Sequence, residues 1–413
     1  MTRGPRFVPM SGTMRRKQLN DCSHLYAAAL DRGSPVPTAY QTLEQWHNAI
    51  DVGVRDENRI DPGALWGFCM PEERALGIEG ARAGFRRRLL DTPGVIATSE
   101  AVCDVPLVMQ VRDVEVPANV RDAFALLREF NKLPNGDPFR GGLAAWQHAR
   151  ELACGFAYRY DPPPPPEWLA AQAAWNQFVA DKMKLDALRL DSPLMVWNAV
   201  AAGKFGPVPE WEAWKNIGPS FVPNPVPLWI SDYLVKDAEE WALKTGGIVW
   251  LGHSSAYTNA PGDPENPDVD EALGKMFKRI PYFGGGKKGD AIRNHKGPCA
   301  ASIRSHGTGK NLVYWNKALL VSFPSSGNVL EQLLARHQRE GQEADVVEFH
   351  FYMHSLETFD AYVKAREECE YAEQMNGSPQ RILGATVLRA DGHAFNTADF
   401  DDLLTSEDPL WSK

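Results

Sequence analysis

From about residue 227 onward, short apolar runs alternate with helical stretches, and this alternation restricts the possible folds more than any other feature of the chain. The run Ile248–Leu251 contains no polar residue, which is typical of a strand covered on both faces of a sheet. Further strands are predicted at residues 281–283, 299–303, 318–323, 346–353 and 385–388, with helices between them. Strands that alternate with helices in this way indicate an α/β fold built on a mostly parallel sheet.

The N-terminal half of the chain is predicted to be mostly helical. Residues 105–116 alternate as strands do, and helices are expected at about 44–50, 81–90, 118–130, 141–156 and 167–184. Five consecutive prolines at 162–166 interrupt these helices. Because such runs favour polyproline II, we interpret them as a stiff spacer, with a docking site for a proline-binding partner as the alternative. The polar, acidic tail from residue 391 is expected to be loosely ordered.

The bulk properties of the 413-residue chain favour a soluble cytoplasmic protein. Its six cysteines form no Cys-x-x-Cys pair, which favours reduced thiols over disulfides or a zinc site. No apolar run approaches the roughly 20 residues of a membrane span, so no membrane partner is expected. The net charge of −9 argues against coating nucleic acid by bulk attraction, although it leaves room for a local basic groove.

Two short motifs carry most of the functional information. Residues 305–312 read Ser-His-Gly-Thr-Gly-Lys-Asn-Leu, a glycine-rich backbone that can approach phosphate closely. About twenty residues later, Gln332, Arg336 and Arg339 fall at i, i+4 and i+7 of a predicted helix, opposite a leucine stripe. Two guanidiniums on one helix face suit a multiply charged anion such as a nucleoside triphosphate. We expect this pair to lie beside the glycine-rich loop at the carboxyl edge of the sheet.

In this order the two motifs resemble motifs V and VI of superfamily 2 helicases, especially the Swi/Snf-type DNA translocases. Motif V of that family reads roughly Gly-x-Gly-Leu-Asn-Leu, and motif VI reads Gln-x-x-Gly-Arg-x-x-Arg-x-Gly-Gln. The chain matches them at Gly307, Gly309, Asn311, Leu312, Gln332, Arg336, Arg339, Gly341 and Gln342. It departs from them at Lys310, where the family has leucine, and at Ala335, where it has glycine. The sequence also resembles the C-terminal parts of helicase-like proteins of tailed phages, and this resemblance implies the cytosol of a bacterium or a phage-infected host.

The resemblance extends to the N-terminus. Residues 7–13 read as a short apolar strand that runs into the turn Ser11-Gly12-Thr13, the form of motif III in the same family. The resemblance therefore implies a remnant of the first RecA-like lobe at residues 1–30, a helical or mixed linker at 31–226, a RecA-like second lobe at 227–390 and an acidic tail at 391–413.

A complete nucleotide-binding half is missing from the sequence. A P-loop requires Gly-x-x-x-x-Gly-Lys-Ser/Thr, but Lys310 is followed by Asn311, and Arg304 stands where the first glycine belongs. An Asp-Glu pair that could hold magnesium at the end of an apolar strand is also lacking. We therefore interpret the chain as the C-terminal half of an ATP-dependent helicase or translocase that requires a separate chain with the P-loop lobe.

The resemblance assigns roles to the motif residues. Arg339 would be the arginine finger on ATP, Arg336 would contact the neighbouring phosphates, and Gln332 would belong to the same nucleotide site. Magnesium would accompany ATP, with its ligands on the missing lobe and no metal ligand here. DNA is the expected nucleic acid, with RNA as an alternative, and the residues expected to contact or couple to it are Ser11, Gly12, Thr13, Gly307, Thr308, Gly309, Lys310 and Asn311. Lys310 would add a phosphate contact or remain an ordinary surface lysine.

Three alternatives remain open from the sequence. The chain is a non-catalytic nucleic-acid-binding or assembly factor if it derives from a helicase lobe without retaining its ATPase role. The arginine-rich segment 82–88 is either a phosphate-binding surface or a solvated helix face. His350 and His354 lie on one strand face, but a spacing of four residues sets the imidazoles too far apart to chelate a metal easily.

Overall fold

The computed structural model describes residues 7–9, 18–97, 103–139, 141–185, 190, 192–252, 273–285 and 287–412. The described chain forms two compact units. The larger unit comprises the chain up to residue 155 and from 230 onward, and the smaller one comprises residues 156–229. The helices of the larger unit are α1 (Asn20–Leu30), α2 (Tyr40–Ile50), α3 (Pro71–Arg74), α4 (Ile78–Asp91), α5 (Ala118–Phe130), α6 (Gly142–Ala153), α10 (Tyr233–Thr245), α11 (Ile303–His306), α12 (Gly327–His337), α13 (Leu356–Asn376), α14 (Arg381–Gly384) and α15 (Asp401–Leu404).

A seven-stranded parallel sheet forms the centre of the larger unit. Its strands, in chain order, are β1 (Leu107–Arg112), β4 (Ile248–Leu251), β5 (Tyr282–Phe283), β6 (Cys299–Ser302), β7 (Lys317–Leu320), β8 (Val347–Tyr352) and β9 (Thr386–Leu388). In space they are ordered β5-β6-β4-β7-β8-β1-β9, and every pairing is parallel. This confirms the predicted α/β class, a parallel sheet flanked by helices that is consistent with a RecA-like lobe.

The order of the strands places β4 between β6 and β7. The chain therefore leaves β4 to build β5 and β6 on one side and then returns to build β7 on the other. All four residues of β4 are buried, as expected for a strand covered on both faces. The sheet also includes β1 between β8 and β9, so it draws on residues well before position 227.

Local signals explain where several helices begin and end. Helix α10 ends at Thr245 and is capped by Gly246, whose φ of 70° lies in the left-handed region that favours glycine. Helix α13 begins after Ser355, whose hydroxyl accepts a hydrogen bond from the backbone N–H of Thr358. Among the described residues, no helix is both long enough and apolar enough to cross a membrane.

The N-terminal helices share a hydrophobic core with α13. Tyr371 and Met375 of α13 are fully buried in this core, together with residues of α1, α2 and α4. By contrast, the strand predicted at the start of the chain is wrong for its described part, because residues 7–9 form no strand and Val8 is 74% exposed. Ser11, Gly12 and Thr13 lie outside the described residues.

A buried carboxylate joins three of these helices. Asp51 follows α2 and is completely buried. Its Oδ2 atom accepts hydrogen bonds from the Leu19 backbone N–H at 2.7 Å and from His47 Nδ1 at 2.8 Å. Its Oδ1 atom accepts one from the Tyr371 hydroxyl. Asp51 thus connects the start of α1 and the end of α2 to the long helix α13.

The arginine-rich segment is helix α4, and its arginines hold backbone carbonyls. Arg82 Nε donates to the Ile50 carbonyl at 2.8 Å and Arg88 Nε to the Pro35 carbonyl at 2.7 Å. Arg87 Nη1 donates in the same way to a carbonyl of the loop before α3. Both expectations, a phosphate-binding surface and a solvated face, are therefore wrong for these three arginines. They stabilise the packing of α4 against neighbouring loops.

The smaller unit pairs a two-stranded antiparallel sheet with three helices. Its elements are β2 (Phe156–Tyr160), α7 (Pro166–Met183), α8 (Pro193–Ala201), α9 (Pro209–Ile217) and β3 (Pro225–Trp229). Its core is built from Trp175, Val179, Val196, Val200 and Val208. The last of the five prolines is the first residue of α7, a position where a missing N–H costs nothing.

Candidate functional site

The glycine-rich loop leaves β6 through the short helix α11 and then crosses toward β7. The backbone N–H of Gly307 donates to the Ile303 carbonyl at 2.7 Å. A Cβ atom at Gly307 would lie 2.5 Å from that same carbonyl oxygen, so only glycine fits here. Gly309 has a φ of 72°, in the left-handed region. Thr308, Gly309 and Asn311 are exposed, which leaves one side of the loop open to solvent.

Lys310 lies inside the molecule and forms a polar network. The residue is 8% exposed, and its Nζ atom lies 2.6 Å from His306 Nδ1 and 3.1 Å from Asp290 Oδ1. The other ring nitrogen of His306, Nε2, donates to the Gly284 carbonyl at 2.8 Å. The alternative of a surface lysine is therefore wrong, and the phosphate contact of Lys310 stays a prediction. The lysine ties the loop to the 284–294 segment.

Burial and the charge of Lys310 explain the protonation states of His306 and Asp290. Burial, and then the Lys310 ammonium, lower the pKa of His306, so its Nδ1 atom remains an acceptor. The hydrogen bond and charge of Lys310 lower the pKa of Asp290, which remains a carboxylate. Sequence reasoning assigned no role to His306, which lies within the same motif, or to Asp290, which lies twenty residues before Lys310.

Arg336 connects α12 directly to the glycine-rich loop. Its Nε atom donates to the Gly307 carbonyl and, within the helix, to the Gln332 carbonyl, both at 3.2 Å. Its Nη1 atom donates to the Lys310 carbonyl at 3.0 Å. In the described part of the chain no carboxylate lies within ion-pair distance of Arg336. Burial first, and then the positive charges of Arg339 and Arg381, lower its pKa.

Arg339 does not lie on the helix. Helix α12 ends at His337, so the predicted stripe at i, i+4 and i+7 is correct for Gln332 and Arg336 and wrong for Arg339. Gln332 donates to Asn328 Oδ1 at 2.7 Å within the helix. Arg339 lies in the turn that follows, half-buried, and its side chain makes no hydrogen bond or ion pair within the described ranges.

Arg339 was expected at the carboxyl edge of the sheet, and its surroundings show that this expectation is wrong. Arg339 lines an open cavity of about 520 Å³ together with residues 103–106 and 340–345. These segments precede β1 and β8, so the cavity lies at the amino edge of the sheet and not at the carboxyl edge. The acidic residues in its lining are Asp104, Glu340, Glu343 and Asp345.

A third arginine that sequence reasoning missed lies near the end of α12. Arg381 Nε donates to the Gln338 carbonyl at 3.3 Å, and its Nη1 atom lies 3.7 Å from Glu331 Oε2. Glu331 also accepts the backbone N–H groups of Arg381 and Ile382, both at 2.9 Å. Burial raises the pKa of Glu331 despite these bonds. Three guanidiniums therefore surround the end of α12, and one of them is paired with a carboxylate.

His337, next to Arg336, is a fully buried neutral histidine. Its Nδ1 atom donates to the Trp315 carbonyl at 2.7 Å, and its Nε2 atom accepts from the Trp250 indole N–H at 3.1 Å. Protonation would put a hydrogen on the Nε2 acceptor and break the bond to Trp250. Burial accordingly lowers the pKa of His337 to about 4 from 6.5.

We expect stability to fall between pH 6.5 and about 4 because of His337. Its folded-state pKa is lower than its unfolded value, so its contribution is complete above pH 6.5 and is lost as the pH falls toward 4. The total loss from this group is about 3 kcal/mol. Urea unfolding at several pH values between 7 and 4.5 measures it. The difference between wild type and His337→Gln should change across this range, whereas the difference for the exposed His24→Gln should not. Equal pH dependence in wild type and His337→Gln would contradict this assignment.

The two histidines considered for metal binding have separate partners. His350 Nε2 lies 3.4 Å from Glu348 Oε2, and its ring packs against Trp241. His354 lies beyond the end of β8, and its Nε2 atom donates to the Ala153 carbonyl at 2.9 Å. In the described part of the chain, no group of three or more His, Cys, Asp or Glu side chains has the arrangement of a metal site.

Comparisons with known proteins add little to this geometry. No family model and no curated protein matches the sequence. A solved structure described as the C-terminal part of the Fun30 ATPase domain is similar over 66% of this chain and 98% of its own length. The sequence identity is 12% and the TM-score is 0.29. A TM-score this low supports no statement about function.

Proposed function

We propose that this chain is the C-terminal lobe of an ATP-dependent DNA helicase or translocase, whose nucleotide site is completed by a separate chain that carries the P-loop. The observation that carries the proposal is the position of Arg339 near Arg336 at the end of α12. Arg336 fastens α12 to the glycine-rich loop, and the adjacent Arg339 has no partner in the described part of the chain.

The two neighbouring guanidiniums of Arg336 and Arg339 at the end of α12 support a polyanionic ligand. Burial is the main cause of the lowered pKa of Arg336, and repulsion by the Arg339 charge adds to it. A triphosphate that contacts both would relieve this repulsion and would accept the guanidinium N–H groups. Arginine suits this role because its planar fork matches phosphate oxygens.

The acidic lining of the cavity beside Arg339 supports a nucleotide site that is completed by a second chain. Four carboxylates share its cavity, so the cavity by itself is not a pocket for a triphosphate. We infer that the P-loop chain would bind ATP and supply the magnesium ligands, and that this chain would present Arg339 from the opposite wall. ATP with Mg²⁺ would place the phosphoryl group within reach of that guanidinium, where it stabilises developing negative charge.

The contact between Arg336 and the glycine-rich loop provides a route by which nucleotide hydrolysis would be coupled to nucleic-acid binding. One guanidinium holds the carbonyls of Gly307 and Lys310, while Thr308 and Asn311 of the same loop are exposed. We propose that these exposed residues contact the nucleic-acid backbone. A shift of Arg336 on nucleotide hydrolysis would then move the loop and its nucleic-acid contacts together.

Reconstitution tests the proposal. The chain is mixed with the product of a neighbouring gene that encodes a P-loop and an Asp-Glu motif, and ATP turnover is measured without nucleic acid, with DNA and with RNA. We expect little turnover by either chain alone and nucleic-acid-stimulated turnover by the mixture. A mixture that forms a stable complex but gains no ATP turnover would contradict the enzymatic proposal. DNA binding in that case would favour the non-catalytic alternative.

A further inference from the structure

Arg150 of α6 is a second arginine with unused hydrogen-bonding capacity. Its Nη2 atom donates to the Ser322 hydroxyl at 2.7 Å and to the Phe323 carbonyl at 2.8 Å. Its guanidinium carbon lies 4.7 Å from the centre of the Trp146 ring. Within the described ranges its Nε and Nη1 atoms make no hydrogen bond, and the side chain remains partly exposed.

Among the residues that the structure describes, no carboxylate forms an ion pair with Arg150. The carboxylate that acts on it is Glu357, which lies beyond ion-pair distance. The Oε1 atom of Glu357 accepts from Arg128 Nη2 at 2.6 Å, in a pair that is almost completely buried. Within the described residues Glu357 is therefore paired with Arg128, and Arg150 has no carboxylate in ion-pair contact. A largely buried cation without a counter-charge is costly, so an anionic ligand is expected to stabilise it.

The position of Arg150 in the fold suits a binding site. Ser322 and Phe323 follow the carboxyl end of β7. A Cβ atom at Gly252, after β4, would lie 3.3 Å from the Ser322 carbonyl and 2.9 Å from the Ile303 side chain, after β6. The carboxyl ends of β4, β6 and β7 therefore converge here. Ligands of open α/β sheets bind at such a point, where the chain changes direction across the sheet.

We propose that Arg150 binds a phosphate group at the carboxyl edge of the sheet, opposite to the edge that carries Arg339. Its Nε and Nη1 atoms donate to the phosphate oxygens, and the Ser322, Phe323 and Trp146 contacts fix the guanidinium in place. The phosphate belongs either to a nucleic-acid backbone or to a small phosphate ligand. The nucleic-acid source rests on the proposed function, whereas the phosphate site itself does not.

Chemical footprinting of the wild-type chain tests the site without a mutation. Phenylglyoxal modifies accessible arginines, and mass spectrometry reports the extent at Arg150 and at the exposed Arg55. We expect a 20-nucleotide DNA or inorganic phosphate to slow modification of Arg150 several-fold and to leave Arg55 unchanged. Protection by DNA at concentrations where phosphate is ineffective identifies nucleic acid as the source. Protection by phosphate alone identifies a small ligand. Absence of protection by both ligands would overturn the proposal.

Variants give an independent measurement. Arg150→Gln removes the charge, Arg150→Lys retains it, and Arg55→Gln is the control. For labelled DNA, Arg150→Gln should weaken binding about tenfold and lower the slope of log K against log salt by about 0.7 for single strands or 0.9 for duplex. Arg150→Lys should keep the slope.

For the small-ligand source, Arg150→Gln should abolish the rise in melting temperature that inorganic phosphate produces. Folded Arg150→Gln with unchanged DNA and phosphate binding would overturn the proposal. ATP turnover through Arg339 is a separate measurement, so the two proposals fail independently.

Discussion

Replacing Arg339 with alanine is expected to lower the turnover number of the reconstituted ATPase by about 10³- to 10⁵-fold, the range known for arginine fingers in phosphoryl transfer. The reason is geometric, because Arg339 has no partner in the described structure and lies beside Arg336, which is held in place by the loop carbonyls. The finger would act on charge that develops in the transition state, so kcat should fall much more than the affinity for ATP.

The controls separate this role from a general loss of charge. Arg55→Ala removes an arginine whose ion pair with Glu57 is exposed, and its turnover should equal that of the wild type. Arg339→Lys keeps the charge without the planar fork and should recover only part of the activity. Unchanged turnover in Arg339→Ala, with intact complex formation, would reject the assignment of Arg339 as the finger.

Replacing Asp51 with alanine is expected to cost about 3–5 kcal/mol of folding stability, because it leaves buried donors without their acceptor. The donors are the Leu19 N–H, His47 Nδ1 and the Tyr371 hydroxyl. Since these groups belong to α1, α2 and α13, the substitution also separates the N-terminal helices from the long helix of the sheet unit. The urea midpoint of unfolding measures the loss.

Asp56→Ala is the matched control for Asp51→Ala. Asp56 lies five residues further along the chain and is exposed, so its removal should change stability by less than about 0.5 kcal/mol. An equal effect of the two substitutions would show that the buried hydrogen bonds of Asp51 do not stabilise the fold. A loss of stability in Asp51→Ala that is confined to the N-terminal helices would appear as faster amide hydrogen exchange in those helices.

The fold could be predicted from the sequence because its signals are local. The run Ile248–Leu251 is a buried central strand, and the strand predicted at 346–353 appears as Val347–Tyr352. The glycine at 246 ends a helix as glycine in the left-handed region does. Each of these features depends on periodicity or backbone conformation within a few residues.

The candidate site was only partly predictable. The contact between the glycine-rich loop and the predicted helix is present, since Arg336 binds the carbonyls of Gly307 and Lys310. The position of Arg339 was wrong, because α12 ends two residues before it and the turn places it at the amino edge of the sheet. Periodicity indicates which residues share a helix face, but it does not determine where that helix ends.

The sequence by itself determined the parallel α/β sheet, most of its strands and the proximity of the two motifs. Only the tertiary structure decided what the charged side chains do. Lys310 is buried against His306 and Asp290, and Arg82 and Arg88 of α4 donate to backbone carbonyls more than 30 residues away in the chain. Arg150 forms no ion pair with a carboxylate in the described part of the chain. Secondary structure follows from neighbours in the chain, whereas the environment of a charge is set by groups that folding brings from remote segments.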